Sequence, residues 1–282
     1  MSDDLSATEE LVDLLDLEEL DTDLYRGKQP VTERARVYGG QVAAQALMAG
    51  ARTVPPSYAV HSLHSYFLLG GDYSVPIVYD VERIRDGRSF RTRRVVARQH
   101  GRPIYYQSLN FAADEQGWEH QDAMPEVGAP DTGFDLVEVM RRGGNSEADA
   151  LGKEWGALDV RWLGNTRFGL EPDGGHVSQA RMWIRLRQGL PEDPAIHVAA
   201  FTYASDVSLL GATLSVHGAN PAKVQMASLD HSIWFHRPFR ADRSALYRTL
   251  WMAWFGPAPV PPPGRRLPGG ASETVASARS LP

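Results

Sequence analysis

The chain has 282 residues, with 29 Lys and Arg against 35 Asp and Glu, a net charge of −6 and no cysteine. A chain of this length can bury a large core without disulfides or structural metals. The acidic balance argues against a general nucleic-acid-binding protein. The lack of cysteine excludes a thiol nucleophile, a zinc–thiolate site and a disulfide framework. We therefore expect a reduced, cytoplasmic protein that binds no nucleic acid.

The first twenty residues are acidic, whereas a signal peptide would be basic and then apolar. Ser6 and Glu9 have the spacing of a capping box, and leucines at helical spacing follow them. This pattern predicts an amphipathic N-terminal helix. No apolar run in the sequence reaches the length that spans a bilayer, so we expect no membrane span.

A helix of small residues is predicted from Gly39 to Arg52, followed by a strand that contains His64 and Ser65. Beyond it, apolar alternation and two turn signals, Asp-Gly and His-Gly, predict three long antiparallel strands. These strands are expected at 77–84, 88–99 and 103–112. One helix lying against a strongly curved antiparallel sheet is the predicted arrangement.

A second helix is predicted over 205–217. Ser and Asp at its start are preferred N-cap residues, leucines follow at helical spacing, and Gly218 would end it. Alternation of Val224, Met226 and Ser228 predicts the next strand. The pattern thus predicts a carboxylate, that of Asp206, at a helix start and a hydroxyl on the neighbouring strand.

Two pairs of landmarks share one spacing in the sequence: Gly39 with Asp206, and His64 with His231 (206 − 39 = 231 − 64 = 167). Each pair lies in a helix-then-strand context, which predicts an internal duplication. We expect the helices near Gly39 and Asp206 to superpose. The predicted units are 1–114 (N-terminal helix and first repeat), 115–157 (connecting segment, with one short helix around 146–155) and 158–282 (second repeat).

The C-terminal tail lacks the strand signals that this duplication requires. From about residue 248 the sequence is atypical, and the prolines between Gly256 and Gly264 cannot lie inside a sheet. We therefore expect residues 256–282 to form no closing strand, which leaves the second repeat incomplete. The exposed strand edge should be covered by the tail or by another subunit.

Asp206 and Ser228 are the candidate catalytic residues, and each has an ordinary structural interpretation beside the functional one. Asp206 is either a helix cap or a carboxylate that polarises a water molecule. A helix dipole would keep it ionised and lower its pKa, which makes it a weak base unless burial opposes the dipole. Ser228 is either a small strand residue or a second group on the same water. No G-x-S-x-G motif supports a serine nucleophile.

The histidine pairs do not predict a metal site. His61 and His64 are three positions apart and His231 and His236 five, so on a strand the members of each pair point to opposite faces. No glycine-rich nucleotide motif or H-E-x-x-H motif occurs. We expect neither a metal nor a cofactor.

A run of arginines forms a basic ribbon in this acidic chain. It is either a solvated strand face or a dock for the phosphates of a carrier such as coenzyme A. The ribbon comprises Arg83, Arg85, Arg88, Arg91, Arg93, Arg94, Arg98 and Arg102. The sequence does not distinguish which of them would contact a phosphate.

Five segments together resemble acyl-CoA thioesterase II, the TesB type: VYGGQVAAQAL, HSLHSYFLLGGD, YDVERIRDGRSFRTRRV, YASDVSLL and LDHSIWFHRPF. The resemblance extends from about Leu11 to Tyr247. It implies an α+β double hotdog fold, two copies of a long helix wrapped by an antiparallel sheet. It also implies hydrolysis of fatty acyl-CoA to fatty acid and free coenzyme A. We expect a homo-oligomer with acyl-CoA as substrate.

The family holds its attacking water with an Asp, a Ser or Thr, and a Gln. By resemblance the first two are Asp206 and Ser228, but Ser280 stands where the Gln belongs and no glutamine follows Gln225. Loss of one preorganised polar group costs about a hundred- to a thousand-fold in rate, so impaired hydrolysis is expected. The alternative is a weakly active or inactive acyl-CoA-binding or assembly module. A hotdog hydratase would need a His at the position of Gly211 and ranks below both.

Overall fold

The computed structural model describes residues 5–32, 34, 36–115, 127–164, 179–207, 227–243, 245–250 and 275–280. The helices are α1 (Ala7–Leu15), α2 (Gly39–Ala51), α3 (Leu136–Arg142), α4 (Ala148–Glu154) and α5 (Pro194–Ser205), with a 3-10 helix at Pro130–Thr132. The strands are β1 (Glu18–Asp21), β2 (Leu24–Arg26), β3 (Tyr58–Phe67), β4 (Val78–Asp86), β5 (Phe90–Gln99), β6 (Arg102–Ala113), β7 (Phe134–Asp135), β8 (Leu158–Gly164), β9 (Gln179–Leu186), β10 (Asp230–Trp234), β11 (Ala245–Leu250) and β12 (Val275–Ser280). Among the described residues, no helix is both long enough and apolar enough to cross a membrane.

The strands form one continuous sheet in the order β1-β2-β4-β5-β6-β3-β10-β12-β11-β9-β8-β7. Strands β3 and β10 meet antiparallel in its middle, with Ser65 opposite His231 and His64 opposite Ser232. The two His-Ser pairs therefore face each other where the two halves join. Helices α2 and α5 pack against each other, and both contact β3. The expected α+β double hotdog fold is confirmed.

The predictions for the first half are largely confirmed. Ser6 and Glu9 form the expected capping box, and α2 matches the predicted small-residue helix, buried from Gly40 to Gly50. The three long strands occur as β4, β5 and β6. His100 and Gly101 between β5 and β6 have φ angles of 49° and 72°, the left-handed geometry of a tight hairpin turn.

The helix predicted over 205–217 does not begin where expected. Helix α5 begins instead at Pro194, where Asp193 accepts a hydrogen bond from the backbone of Ala195 and the proline occupies the first turn. It ends at Ser205, and Asp206 is the residue that follows. The Asp-Pro sequence that starts α5 lies upstream of the Ser-Asp sequence from which the helix start is predicted. Positions 208–226 lie outside the described residues.

The predicted superposition of helices at Gly39 and Asp206 is therefore wrong, because α2 begins at Gly39 whereas α5 ends just before Asp206. The counterpart of α2 is α5. The segment between helix and strand is 52–57 in the first half and 206–229 in the second. Because these segments differ in length, the spacing of 167 that relates the strands does not relate the helices. The His64 and His231 pair does occupy matching strands.

Ser228 also differs from its predicted place, since β10 begins only at Asp230. It lies in the extended segment just before that strand, and Leu229 in this segment accepts a backbone hydrogen bond of 2.8 Å from Phe67. Val224 and Met226, the other members of the predicted strand, lie outside the described residues.

The prediction that the tail forms no closing strand is wrong for 275–280. This segment is β12, which pairs in parallel with β10 and antiparallel with β11. It contains no proline, so each of its residues keeps the N–H that a ladder requires. The tail thereby covers the edge of β10. Residues 251–274, including the prolines, lie outside the described residues.

The predicted connecting segment contains more structure than expected. Helix α4 occurs where a short helix was predicted, whereas α3 and β7 were not predicted. Strand β7 pairs with β8 and extends the second half of the sheet. The division of the chain at residues 114 and 157 stays a prediction.

Candidate active site

A cavity of about 400 Å³ is lined by both candidate catalytic residues, Asp206 and Ser228. They reach it from different segments, one directly after α5 and the other directly before β10. About half of the remaining described wall is apolar, and nearly all of the wall comes from the first half of the chain. The apolar side chains are Val37, Val42, Phe67, Leu68, Leu69 and Ile104, with Ala227 from the second half.

The carboxylate of Asp206 lies against the first turn of α2. The backbone N–H of Gly40 donates a hydrogen bond to it, and a Cβ atom on Gly39 would stand only 2.7 Å from its Oδ2. Glycine at position 39 therefore leaves room for the carboxylate. A carboxylate does lie at a helix start, as expected. The helix is α2 of the first half, however, and not one that begins at Asp206.

Burial and hydrogen bonding oppose each other at Asp206. Burial raises its pKa from 3.8 to about 7, and the hydrogen bond from Gly40 lowers it by a smaller amount. Burial thus outweighs the helix terminus, contrary to the low pKa that a dipole alone would produce. A carboxyl group with a pKa near neutrality can accept a proton and later return it.

Tyr105 on β6 forms part of the cavity wall and was not predicted from the sequence. It is fully buried, its ring packs at 5.0 Å from that of Phe67, and its hydroxyl donates to Gln107 Oε1. Burial, with a further contribution from the charge of Asp206, raises the pKa of Tyr105, so the phenol stays protonated. The alternation of residues along β6 is the only sequence signal that the side chain of Tyr105 faces inward.

Glu154, at the end of α4, fixes one side of the site through several contacts. It pairs with Arg34 and accepts a hydrogen bond of 2.8 Å from the hydroxyl of Tyr73. Its backbone carbonyl accepts from the Tyr203 hydroxyl at 2.7 Å. Tyr38 in turn donates through its hydroxyl to the carbonyl of Tyr203 at 2.9 Å. The connecting segment therefore holds the cavity wall in place.

The histidines have structural partners. His231 is fully buried, with Nε2 at 3.3 Å from Ser205 Oγ, and burial lowers its pKa to about 4, so it is neutral. His64 Nδ1 lies 3.1 Å from Ser232 Oγ. Within the described residues, no cluster of three or more His, Asp or Glu side chains could hold a metal ion.

The arginine ribbon lies outside the cavity, and half of it is paired within the sheet. Arg83 pairs with Asp23, Arg94 with Glu82, and both Arg91 and Arg93 with Asp86. Two other arginines, Arg34 and Arg36, line the cavity instead. They were not singled out from the sequence because they belong to no periodic element.

The third polar group of the predicted site has no counterpart in the described cavity. Its wall contains no glutamine among the described residues. Ser280, at the position where the resemblance places that group, is the last residue of β12.

Comparison with known proteins gives two family matches, described as acyl-CoA thioesterase N-terminal domain over 28–112 and acyl-CoA thioesterase over 160–252. The chain is 36% identical to acyl-CoA thioesterase 2 of Haemophilus influenzae over 81% of each protein. It is 35% identical to human acyl-coenzyme A thioesterase 8 over 83% of this chain and 76% of that protein. Acyl-CoA thioesterase II TesB2 of Mycobacterium marinum superposes with a TM-score of 0.72 and 37% identity, covering 96% of this chain and 98% of that one.

Proposed function

The chain belongs to the acyl-CoA thioesterase family and is a thioester hydrolase, and we propose that Asp206 activates the attacking water while Ser228 helps to orient it. The proposal rests on one observation: both side chains line the same cavity, and the carboxyl group of Asp206 has a pKa of about 7. A base of that strength is half-ionised at neutral pH and can still be reprotonated within the cycle.

In the proposed reaction, the water oxygen forms a bond to the thioester carbon while Asp206 accepts one of the water's protons. The carbon–sulfur bond then breaks, and the leaving sulfur takes that proton back. The products are a fatty acid and the thiol of coenzyme A, and Asp206 returns to its starting state. The N-terminus of α2 lies beside Asp206, and the positive end of its helix dipole favours the negative charge on the carbonyl oxygen of the substrate.

The apolar wall supplies the site for the acyl chain. Val42 and Phe67 lie next to the start of α2, and Ile104 continues the same surface. Burying each methylene of a fatty acyl group against such a wall is worth about 0.8 kcal/mol. The cavity thus combines an apolar surface for the chain with a polar end for the thioester.

Asparagine in place of Asp206 tests the assignment, because the charge is lost while the shape is retained. Release of free thiol from acyl-CoA should fall at least a hundred-fold in Asp206→Asn. Asp80→Asn is the matched control, since Asp80 is an exposed carboxylate on β4. Thiol release by Asp206→Asn at the rate of the Asp80→Asn control would place the base elsewhere.

A second candidate function is an acyl-CoA-binding or assembly module with weak hydrolysis. It is favoured by the described cavity wall, which holds two of the three expected polar groups. Turnover and acyl-CoA affinity measured on the same preparation distinguish the two. Tight binding with turnover near the uncatalysed rate would support the module.

The proposal includes a cytoplasmic location and assembly into a homo-oligomer. The cysteine-free sequence supports a reducing compartment. Light scattering after gel filtration measures the assembly, and a mass of 31.1 kDa, that of a single chain, would contradict it. Cell fractionation tests the location.

A further inference from the structure

The two arginines of the cavity wall differ in their partners. Arg34 pairs with Glu154, and Glu147 lies 3.9 Å from its guanidinium. Arg36 is exposed, and within the described residues it forms no ion pair. A cation beside a substrate cavity with no protein counter-charge is free to bind an anionic group of a ligand.

The segment after β3 lies directly beneath Arg36. A Cβ atom on Gly70 would stand 3.7 Å from both Cδ and Nε of Arg36, so the arginine stem runs along this glycine. The next residue, Gly71, accepts a backbone hydrogen bond of 3.1 Å from Val37. Backbone contacts thus fix the arginine at the cavity while its guanidinium stays exposed.

We propose that Arg36 binds a phosphate group of the coenzyme A portion of the substrate. This inference rests on the proposed function, and it names the residue that anchors the carrier. A guanidinium forms two parallel hydrogen bonds with a phosphate, a stronger contact than a neutral donor gives. The exposed position suits a carrier whose charged end remains near the surface while the acyl group is buried.

The spacing along the chain agrees with the shape of such a substrate. Arg36 precedes Gly39 by three residues, and a Cβ atom on Gly39 would stand 2.7 Å from the carboxylate of Asp206. Three residues span at most about 10 Å, to which the long arginine side chain adds its own reach. The phosphates of an acyl-CoA are likewise separated from the thioester carbon by the pantetheine arm. One end of the cavity can therefore hold the charge while the other holds the reacting bond.

The experiment compares two substrates with the same acyl group: the acyl-CoA, and the acyl-pantetheine, which has no phosphate. In Arg36→Gln, KM for the acyl-CoA should rise about ten-fold relative to KM for the acyl-pantetheine. Arg36→Lys, which keeps the charge but loses the planar fork, should give an intermediate ratio. Arg142→Gln is the control, since Arg142 is exposed at the end of α3, outside both the cavity wall and the arginine ribbon, and its ratio should match the wild type.

An equal rise of KM for both substrates, or no rise for either, would overturn the assignment of Arg36. Failure of the proposed function looks different: Asp206→Asn would release thiol at the control rate or, for the binding-module alternative, the wild type would hydrolyse neither substrate. In that case, calorimetry with free coenzyme A tests Arg36 directly, and Arg36→Gln should bind about ten-fold more weakly than Arg142→Gln. Equal binding would overturn the inference. A parallel titration with dephospho-coenzyme A, which lacks the 3′-phosphate, shows which phosphate is bound. If Arg36 binds the 3′-phosphate, Arg36→Gln and the control should bind dephospho-coenzyme A equally.

Discussion

Asp206 and Gly40 join the two halves of the protein through one hydrogen bond, in which the backbone N–H of Gly40 donates to the carboxylate of Asp206. Asp206 follows the last residue of α5, and Gly40 lies in the first turn of α2. The acid is thus supplied by the second repeat and its helix terminus by the first. Neither repeat contains this arrangement by itself, so the duplicated fold is what creates the candidate site.

Alanine at position 39 tests this arrangement. Its Cβ would stand 2.7 Å from Asp206 Oδ2 and 2.8 Å from a ring carbon of Phe67, so the carboxylate has to move. We expect a loss of activity of about a hundred-fold in Gly39→Ala with the helix intact, since alanine favours helices over glycine. Gly189→Ala is the control, because a Cβ there meets nothing within 4 Å. Wild-type kcat/KM in Gly39→Ala would show that the carboxylate position is unimportant.

The raised pKa of Asp206 also predicts a cost in stability. The folded state holds the proton up to a pH of about 7, whereas the unfolded chain releases it near 3.8. Between these values the folded state binds more protons, so the free energy of unfolding falls as the pH rises. Asp206→Asn should therefore be more stable than the wild type at pH 8, by at most about 4 kcal/mol and by less because the cavity admits water.

Urea denaturation at several pH values measures this effect. The difference between Asp206→Asn and the wild type should shrink as the pH is lowered toward 4. A difference that is independent of pH would mean that the carboxylate is not destabilised by burial.

Ser228 is expected to contribute through its hydroxyl group. Ser228→Thr retains that group and should keep nearly all activity, whereas Ser228→Ala should lower kcat by about ten-fold or more, the loss expected for a polar group that acts on the reacting atoms. Initial rates at saturating acyl-CoA separate the two. Equal rates in the two variants would remove Ser228 from the mechanism.

Glu154 lies away from the candidate base, but we expect it to stabilise the cavity wall strongly. Its side chain is 8% exposed and pairs with Arg34. Glu154→Gln leaves that arginine without its close partner and should cost about 3 kcal/mol of unfolding free energy. Glu147→Gln removes a 3.9 Å contact from a side chain that is 68% exposed, and it should cost about 0.5 kcal/mol or less. Thermal unfolding of both variants checks the contrast.

The two candidate residues predicted from the sequence, Asp206 and Ser228, share one cavity, and their roles stay a proposal. The helix predicted to begin at 205 is instead preceded by α5, which ends there. Ser and Asp are common at helix starts, so local signals could not show that Asp206 follows one helix and reaches the start of another. Only the packing of α2 against α5 determines that.

Residues that act through long-range contacts could not be predicted at all. Glu154 meets Arg34 across 120 positions of sequence, and nothing in either neighbourhood indicates the pairing. The regular spacing of the arginine ribbon left two interpretations open, a solvated strand face and a phosphate dock. Nearby carboxylates pair with half of that ribbon, while Arg36, which forms no ion pair within the described residues, lies in an irregular segment.

The dependence of kcat/KM on pH tests the central claim, that Asp206 is the base, most directly. If its carboxylate must accept a proton, kcat/KM for an acyl-CoA should rise about ten-fold per pH unit below 7 and level off above it. The residual activity of Asp206→Asn should lack this titration. The claim would be contradicted by a wild-type profile that is flat from pH 5 to 9 or has its midpoint near 4. It would also be contradicted by a midpoint near 7 that persists in Asp206→Asn.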